Sequence, residues 1–438
     1  MEFKEGKTIK LEGAKVAKIV RASKDKIEIG GGGQGCVYKV KIDGKEYALK
    51  WYTCKFKNKN DFRNNLKSNI ETGAPDNKFL WPLYLTEELN GNFGYVMDLR
   101  PERFSDFSDI LNNKVKFSST DTLIVSALNI VNAFRTLHRK GLCYHDLNDG
   151  NFFIDVKTGD VLICDNDNVT PDGKNNPGNI GGKPGYMAPE IVCGKQHPNS
   201  LTDAHSLAVV LFKLLCRHDP FMGQAYVDSV CITEEREIEL YGSKPVFIFN
   251  PHDVSNRPVA SIHPNPIKLW PRFPYFIQEA FIKSFCDGLK DPNQRLPENE
   301  WQKLLIQFRS SLLKCPHCSD ELCLALLPHG STVKFNCGSS YSYPYILEDG
   351  KHKTPLFPKV KLYACLTSKN IDDYMDITGE VVVNKNNPAL WGIKNLSDST
   401  WTFTTKTNEI KTIEKGSVIP IANDLEINFD GITGKVSK

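Results

Sequence analysis

Short runs of alternating or continuous apolar residues fill the chain from about residue 14 to residue 100, and this pattern is typical of β-strands. The clearest runs are KVAKIV, CVYKVKI, EYALKWY, FLWPLYL and FGYVMDL. One polar stretch of helical composition, KNDFRNNLKSNIETG, interrupts them. The pattern predicts a β-rich N-terminal unit that carries a single helix.

From about residue 120 the apolar residues recur at helical spacing, as in DTLIVSALNIVNAFRTLHRKG, which Gly141 ends. A second helical segment, TDAHSLAVVLFKLLCRH, is apolar on most sides and is therefore predicted to be buried. Helical spacing resumes in FIQEAFIKSFCDGL and PENEWQKLLIQFRSSLL. After Cys315 the chain changes to β-branched, turn-rich runs such as GEVVVNK, LWGIKNL, TWTFTTKT and LEINFDG. These runs predict a separate all-β unit.

The composition is that of an ordinary globular protein, with 40% hydrophobic and 24% charged residues in a chain of 438, a length that predicts two or three domains. A net charge of +3 is too small to indicate binding to nucleic acid or to an anionic membrane. The opening stretch MEFKEGKTIK lacks the apolar core of a signal peptide, and LAVVLFKLLC is too short to span a bilayer. We therefore expect a cytoplasmic protein whose thirteen cysteines are mainly core thiols.

A glycine-rich stretch, GGGGQGCV, fits the pattern G-x-G-x-x-G-x-V, with glycines at Gly30, Gly32 and Gly35. Glycine is needed where the backbone adopts positive φ or approaches phosphates closely, although a β-hairpin turn alone also explains such a run. Fifteen residues after Gly35, Lys50 stands in the strand-like YALK, where its ammonium would meet phosphate oxygens. Glu71, in the polar helix that follows, is the candidate partner of Lys50.

The stretch YHDLNDGN supplies Asp146 and Asn151 at the spacing of a phosphoryl-transfer loop, and VLICD delivers Asp165 at the end of an apolar strand. Asn151 and Asp165 offer the oxygen ligands that Mg²⁺ prefers. Asp146 is then left to accept the proton of an incoming hydroxyl. Further along, GYMAPE ends at Glu190, and Arg295 in DPNQR is predicted to pair with it.

In this order and at these spacings, the motifs resemble the eukaryotic-like (Hanks-type) protein kinase family, over roughly residues 14–312. The resemblance implies an α+β bilobal fold, with a β-rich N-lobe at 14–99 and a helical C-lobe at 100–312. It also implies that ATP and Mg²⁺ (or Mn²⁺) lie in the cleft, and that the γ-phosphoryl group passes to Ser or Thr hydroxyls of a protein substrate.

The same resemblance implies further contacts to the nucleotide. The hinge would be residues 97–100, with the backbone of Asp98 and Leu99 facing adenine. Three apolar side chains would enclose the base, namely Val37, Ala48 and Phe153.

The stretches LYGSKPVFIFNPHDVSNRP, FLWPL and CDNDN are similar to those of one bacterial subgroup of these kinases. Members of that subgroup carry a C-terminal segment like a zinc ribbon. Some lie in stress-related gene clusters with a von Willebrand-type protein and a PP2C-type phosphatase. The resemblance therefore implies bacterial signalling or stress response, with these two proteins as partners.

Four positions depart from the family pattern. His145 replaces the Arg that reads a phosphate on the activation loop, and Asn148 replaces the catalytic-loop Lys. The D-F-G motif reads DND at 165–167, and Lys183 stands where these kinases usually have Thr. Because the Arg that would read a loop phosphate is absent, we do not expect loop phosphorylation to be the switch. The segment between Asp165 and Glu190 agrees, since Thr170 is its only Ser or Thr.

These departures leave more than one activity open. Lys183 is a candidate to supply the charge that Asn148 no longer supplies, although it would otherwise simply face solvent or an acidic substrate. A nucleotide-binding pseudokinase scaffold and an AMP-transferring enzyme on the same fold are the alternatives to a kinase. We favour an active kinase because the residues on which the chemistry depends are all present: Lys50, Asp146, Asn151 and Asp165.

The tail contains a metal-knuckle pattern, CPHC, with Cys315 and Cys318, and a second half-knuckle, KFNCG, with Cys337. Zn²⁺ takes four ligands in a closed structural site, so Cys323 is the candidate for the fourth. His317 and His329 are poorer choices, and a ribbon without metal is the alternative. We assign the ribbon-like segment to 313–350 and an all-β domain, weakly similar to a forkhead-associated sandwich, to 355–438.

Overall fold

The alternating apolar pattern of the N-terminal region corresponds to an antiparallel sheet in the computed structural model. The structure describes residues 3–174, 182–318, 320–350, 352–370, 372–405, 409–429 and 431–438. Residues 175–181, part of the segment between Asp165 and Glu190, lie outside the described residues. The chain divides into two units, one of residues 1–118, 125–268 and 279–301, and one of residues 119–124, 269–278 and 302–438.

The strands of the first unit are β1 (Thr8–Lys10), β2 (Val16–Val20), β3 (Glu28–Gly32), β4 (Gly35–Ile42), β5 (Lys45–Tyr52), β6 (Tyr84–Leu85), β7 (Gly94–Asp98), β8 (Ser105–Asp106), β9 (Leu142–Cys143), β10 (Phe152–Ile154), β11 (Val161–Ile163) and β12 (Thr170–Pro171). The first seven form one antiparallel sheet in the order β1-β2-β4-β5-β7-β6, with β3 paired to β4. Two small sheets, β11-β10-β8 and β12-β9, hold the loops that follow.

The α-helices of the described residues are α1 (Lys59–Thr72), α2 (Phe107–Leu111), α3 (Thr120–Arg139), α4 (Pro189–Val192), α5 (Ser200–Cys216), α6 (Gln224–Val227), α7 (Glu234–Ile238), α8 (Pro264–Leu269), α9 (Tyr275–Ile282), α10 (Gly288–Lys290), α11 (Glu298–Ser310) and α12 (Ala364–Thr367). The sequence predicted a β-rich lobe followed by a helical lobe, and the order of these strands and helices confirms that prediction.

Each face of the large sheet packs against its own cluster. On one face, Tyr38 and Val40 of β4 pack with Trp51 of β5. On the other, Phe62 and Leu66 of α1 are buried in a second cluster. Strand β5 contributes to both clusters because successive strand residues point to opposite faces. Strand β5 therefore contributes both to the core of the sheet and, through Ala48 and Lys50, to the lining of a cavity.

Helix α5 is the buried helix that the apolar pattern predicted, since most of its side chains are inaccessible to solvent. Asn199 caps it, and its side chain accepts hydrogen bonds from the backbone N–H groups of Leu201 and Thr202. The predicted pairing of Arg295 with Glu190 is also confirmed, as a bidentate ion pair with N–O distances of 2.7 and 2.8 Å. This pair fixes the end of the segment that leads from the site to α4.

The strands of the second unit are β13 (Leu312–Lys314), β14 (Glu321–Cys323), β15 (Val333–Lys334), β16 (Ser340–Tyr341), β17 (Tyr345–Glu348), β18 (Lys353–Leu356), β19 (Lys361–Tyr363), β20 (Ile377–Val383), β21 (Trp391–Asn395), β22 (Trp401–Thr404), β23 (Ile410–Ile413), β24 (Val418–Pro420), β25 (Glu426–Asn428) and β26 (Thr433–Ser437). They form sheets ordered β18-β17-β26-β25-β22-β23 and β19-β20-β21-β24, with hairpins β13-β14 and β15-β16.

Residues from both of the larger sheets meet in one apolar core, in which Ile393 and Ile419 join Trp401, Ile427 and Val436. Strand β17 pairs with both β18 and β26, so the six-stranded sheet begins inside the segment assigned to the ribbon. Among the described residues, we find no helix with the length and apolar character needed to cross a membrane.

Candidate active site

One cavity of about 940 Å³ in the first unit collects the chemically interesting side chains. The sequence-predicted residues that line it are Gly30, Gly32, Gly35, Val37, Ala48, Lys50, Asp98, Leu99, Asp146, Asn151, Phe153 and Asp165. Glu71 and Lys183 do not line it. The structure therefore brings together residues from the glycine-rich hairpin, the hinge and the catalytic loop.

The glycine-rich stretch is a β-hairpin, in which β3 and β4 pair up to Gly32 and Gly35. The expectation of positive φ is wrong, because none of the five glycines from Gly30 to Gly35 lies in the left-handed region. Gly30 and Gly32 have open space where a Cβ would stand. Gly35 is constrained by packing instead, since a Cβ there would lie 2.0 Å from the carbonyl oxygen of Trp51.

The inner end of the cavity is apolar. Ala48 on β5 is buried and is paired across the sheet with the buried Met97 on β7. Phe153 on β10 also lines the cavity, and the guanidinium carbon of Arg100 lies 4.1 Å from its ring centroid. A planar aromatic base fits between walls of this kind.

Lys50 is almost fully buried, with 6% of its side chain exposed, and it makes two ion pairs. Its Nζ lies 3.0 Å from Asp167 Oδ2 and 3.2 Å from Asp165 Oδ1. The expected pairing with Glu71 is therefore wrong, because Glu71 is exposed in the last turn of α1 and Asp167 supplies the carboxylate. Burial alone would lower the pKa of Lys50, but Asp167 and then Asp165 outweigh burial and raise it.

The backbone turns sharply after Cys164. Asp165 has φ 57° and ψ 40°, a left-handed conformation that is uncommon outside glycine and concentrates at functional sites. A single 3₁₀ turn, Asn166–Asn168, follows. The Asn166 amide donates hydrogen bonds to the carbonyl oxygens of Leu80 and Ile163, each at 2.9 Å, and these bonds hold the turn in place.

Asp146 is fixed by amides from its own loop. The Asn148 side-chain nitrogen donates to Asp146 Oδ1 at 3.0 Å, and the Asn151 nitrogen donates to the Asp146 carbonyl oxygen at 2.7 Å. Burial raises the pKa of Asp146 to about 6, against the opposing effect of the Asn148 hydrogen bond. A carboxylate of this kind is ionised near neutral pH and basic enough to accept a proton.

Asp203 on α5 anchors the backbone of the loop that carries Asp146. Its carboxylate accepts the backbone N–H of Tyr144 at 2.6 Å and that of His145 at 3.3 Å. His138 also contacts Asp203, at 3.1 Å, and Glu298 through its other ring nitrogen, at 2.6 Å. Burial lowers the pKa of His138, but these two carboxylates outweigh it and raise the pKa to about 10. His138 is therefore a cation at neutral pH.

Lys183 lies beside the catalytic loop rather than in the cavity. Its Nζ is 3.0 Å from Asp149 Oδ1, and 58% of its side chain is exposed. Asp149 follows Asn148 directly in the chain, so the Lys183 ammonium stands next to the position where the loop has lost a cation.

His145 and Thr170 contact each other where the family pattern places an Arg and a phosphorylated segment. The His145 Nε2 lies 2.5 Å from Thr170 Oγ1, and Thr170 is 1% exposed. Burial lowers the pKa of His145, which favours the neutral ring. A neutral ring against a buried hydroxyl provides no pocket for a phosphate at this position.

The donor set in the cavity is suited to a hard divalent cation. The Asn151 amide nitrogen is engaged by Asp146, which leaves the amide oxygen as the ligand atom of this residue. Asp165 is 36% exposed and lines the cavity. Carboxylate and amide oxygens are the protein ligands that Mg²⁺ prefers, so these two residues fit the ion.

A second group of potential ligands lies in the second unit. The Sγ atoms of Cys315, Cys318 and Cys337 all lie within 4.8 Å of one another. Cys323 is not in this group, so its assignment as the fourth ligand is wrong: it lies on β14, opposite Leu312. Hydrogen bonding to the Cys337 sulfur, first from the Ser339 side chain, lowers the pKa of Cys337 to about 7.

Comparison with known proteins agrees with this geometry. A family model described as "Protein kinase domain" matches residues 23–297. The chain is 25% identical to Glycogen synthase kinase 1 of Pyricularia oryzae over 47% of its own length and 57% of that protein's length. It is 36% identical to Serine/threonine-protein kinase AtPK2/AtPK19 of Arabidopsis thaliana, over 24% of its length and 22% of that protein's. CBL-interacting protein kinase 4 of rice is 28% identical, over 37% and 36%. The chain thus spans between about a fifth and a little over half of the lengths of these relatives.

Proposed function

Because this chain belongs to the protein kinase family, we propose that it transfers the γ-phosphoryl group of ATP to Ser or Thr hydroxyls of a protein substrate. The observation that supports this most directly is the single cavity lined by Lys50, Asp146, Asn151 and Asp165. Those four residues carry the charges and oxygen atoms that phosphoryl transfer requires.

In the proposed reaction, Lys50 binds phosphate oxygens of ATP, and the β3–β4 hairpin covers them. The walls formed by Ala48 and Phe153 hold the base, which fixes the nucleotide in one orientation. Asp146 accepts the proton of the incoming hydroxyl, and its pKa of about 6 leaves it ionised at pH 7.

Asn151 and Asp165 are the residues that would hold Mg²⁺. When bound, the ion neutralises charge on the phosphoryl group that is transferred. The contacts of Asn151 and Asn148 with Asp146 keep the base and the metal-binding residue in one rigid loop.

We also propose that Lys183 is a further catalytic cation. The loop has Asn148 where a lysine would otherwise balance the transferring phosphoryl group, and the Lys183 ammonium is 3.0 Å from the neighbouring Asp149. Its long, exposed side chain can leave Asp149 and turn towards the nucleotide, because an exposed ion pair of this kind is worth only about 0–1 kcal/mol.

Incubation with ATP labelled in either the γ- or the α-phosphate, in the presence of Mg²⁺, tests the proposal. Protein-bound label from the γ-position alone supports a kinase. Label from the α-position indicates AMP transfer instead. Absence of transfer from a protein that still binds ATP indicates a pseudokinase scaffold.

For the second unit, we propose that Cys315, Cys318 and Cys337 bind one Zn²⁺, with a fourth ligand from outside this group. Support comes from the mutual proximity of the three sulfur atoms and from the lowered pKa of Cys337, since zinc binds the thiolate form. Elemental analysis of the purified protein tests this. We expect one zinc per chain in the wild type and in Cys323→Ser, and loss of zinc in Cys318→Ser.

We propose a cytoplasmic role in bacterial signalling or stress response, with a PP2C-type phosphatase and a von Willebrand-type protein as partners. The two-sheet domain that begins at β17 would serve as the docking module. Co-purification of the full chain with each partner, with a chain ending before Tyr345 as the comparison, tests this assignment.

A further inference from the structure

The carboxylate that holds Lys50 comes from an unexpected part of the chain. Asp167 has a side chain with 0% exposure, and both of its oxygens accept hydrogen bonds from Lys50, at 3.0 and 3.3 Å. The Tyr52 hydroxyl also donates to Asp167 Oδ2. Asp167 does not line the cavity, and its carboxylate is directed at Lys50 and Tyr52.

The backbone turn determines where this carboxylate points. Asp165 adopts the left-handed conformation, and the 3₁₀ turn from Asn166 follows at once. The Asn166 amide bonds two carbonyl oxygens, one of them at Leu80 in a different part of the chain. The turn is therefore held in place by a hydrogen bond to a distant part of the chain.

Helix α1 contacts the same turn through neutral groups. Its two carboxylates, Asp61 and Glu71, are both exposed. Its inward side carries Asn65 and Asn69, whose side-chain nitrogens each donate to the carbonyl oxygen of Val169 at 2.9 Å. Helix α1 is thus attached to the backbone just after Asp167 and offers Lys50 no carboxylate.

We propose that Asp167 is the positioning residue for Lys50, so that placing the phosphate-binding lysine requires no carboxylate from α1. This inference rests on the proposed kinase function. Asp167 lies two residues from Asp165, so one turn of backbone fixes both the metal-binding carboxylate and the lysine. The lysine is therefore in place whenever that turn is formed. Its placement does not depend on the exposed carboxylates of α1.

Loss of the Asp167 charge would also affect the metal site. Lys50 is shared between Asp167 and Asp165, and removal of the Asp167 charge leaves Lys50 paired with Asp165 alone. Lys50 would then compete with Mg²⁺ for the Asp165 carboxylate. If Asp167 only neutralised a buried charge, its loss would lower stability without changing the Mg²⁺ requirement.

The test is a comparison of Asp167→Asn with Glu71→Gln and with the double variant Asp61→Asn/Glu71→Gln in the full chain. For Asp167→Asn we expect kcat/KM for ATP to fall by about 10²-fold, as for loss of one preorganised electrostatic contact. We also expect the Mg²⁺ concentration at half-maximal rate to rise several-fold. Both α1 variants should stay within two-fold of wild type in every parameter.

The inference is overturned if Asp167→Asn keeps both kcat/KM and its Mg²⁺ dependence within two-fold of wild type while Lys50→Met is inactive. It is also overturned if either α1 variant loses activity. The α1 variants can be measured even if Asp167→Asn does not fold, because Asp61 and Glu71 are exposed. A wild type that binds ATP but transfers no label instead contradicts the proposed function itself, and the inference falls with it.

Discussion

The buried ion pair between Arg295 and Glu190 allows a quantitative prediction for the first unit. The Arg295 side chain is 1% exposed. Besides the two bonds to Glu190, its Nε donates to the Gly288 carbonyl oxygen at 3.0 Å and its Nη1 donates to the Leu201 carbonyl oxygen at 2.9 Å. Arg295→Met removes all four hydrogen bonds and leaves Glu190, 16% exposed, without its cation. Breaking a buried pair from one side costs about 3–5 kcal/mol.

A loss of this size is large against the roughly 5–15 kcal/mol by which a domain is stable. At about 2–4 °C per kcal/mol, the midpoint of thermal unfolding should fall by about 6–20 °C. Calorimetry of the full chain is the assay, because two units are able to unfold in separate transitions. Only the transition of the unit that contains Arg295 should move.

A double-mutant cycle separates the pair from its surroundings. Glu190→Gln removes the partly buried charge that Arg295→Met leaves without a counter-ion, so the double variant should be more stable than Arg295→Met alone. A cost below about 1 kcal/mol for Arg295→Met, the value typical of surface pairs, would refute the burial and geometry described here.

Four further predictions concern the site. Asp165→Asn should reduce Mg²⁺-dependent turnover by about 10³-fold or more with the fold intact, because an amide does not replace the charge that holds the ion. Thr170→Ala should keep activity within about two-fold, with about 1 kcal/mol less stability from the lost buried hydrogen bond. Lys183→Thr should lower turnover by about 10²–10³-fold, and Asn148→Lys in the same chain should restore much of it. The His138 pKa rises from 6.5 to about 10 on folding. Its stabilising contribution should therefore be complete below about pH 6.5 and lost towards pH 10, and His138→Gln should flatten this part of a stability–pH profile.

Each of these predictions has a contradicting result. Turnover of Asp165→Asn within a few-fold of wild type would show that the metal assignment is wrong. A large loss in Thr170→Ala would restore loop phosphorylation as the switch. Full activity of Lys183→Thr would end its catalytic role, and Lys195→Thr, an exposed lysine further along, is the matched control. An unchanged stability–pH slope in His138→Gln would show that the ring is not held as a cation.

The sequence was sufficient to predict the two lobes, the buried α5 and many of the residues that line the cavity, although Glu71 and Lys183 do not line it. These follow from hydrophobic periodicity and from motifs whose order along the chain is visible without coordinates. The Glu190–Arg295 pair was predictable for the same reason, because each residue lies in a recognisable motif.

The partner of Lys50 was not predictable in this way. Which carboxylate reaches the lysine depends on the left-handed backbone at Asp165 and the turn after it, whereas the sequence only offers candidates. The DND triplet was the available signal, since a carboxylate at Asp167 stands where a glycine was expected. The prediction that Cys323 is the fourth zinc ligand was wrong for a similar reason. Cysteine spacing suggests ligands, but strand pairing on β14 decides which way a thiol points.

The most direct test of the central claim is transfer of label from [γ-³²P]ATP to a library of Ser- and Thr-containing peptides, by the wild type and by Asp146→Asn side by side. We predict acid-stable label on hydroxyl residues with the wild type, and a rate about 10²–10⁴-fold lower with Asp146→Asn, with ATP binding unchanged. Equal labelling by both proteins, or no labelling by a wild type that binds ATP, would contradict the assignment of this site to phosphoryl transfer.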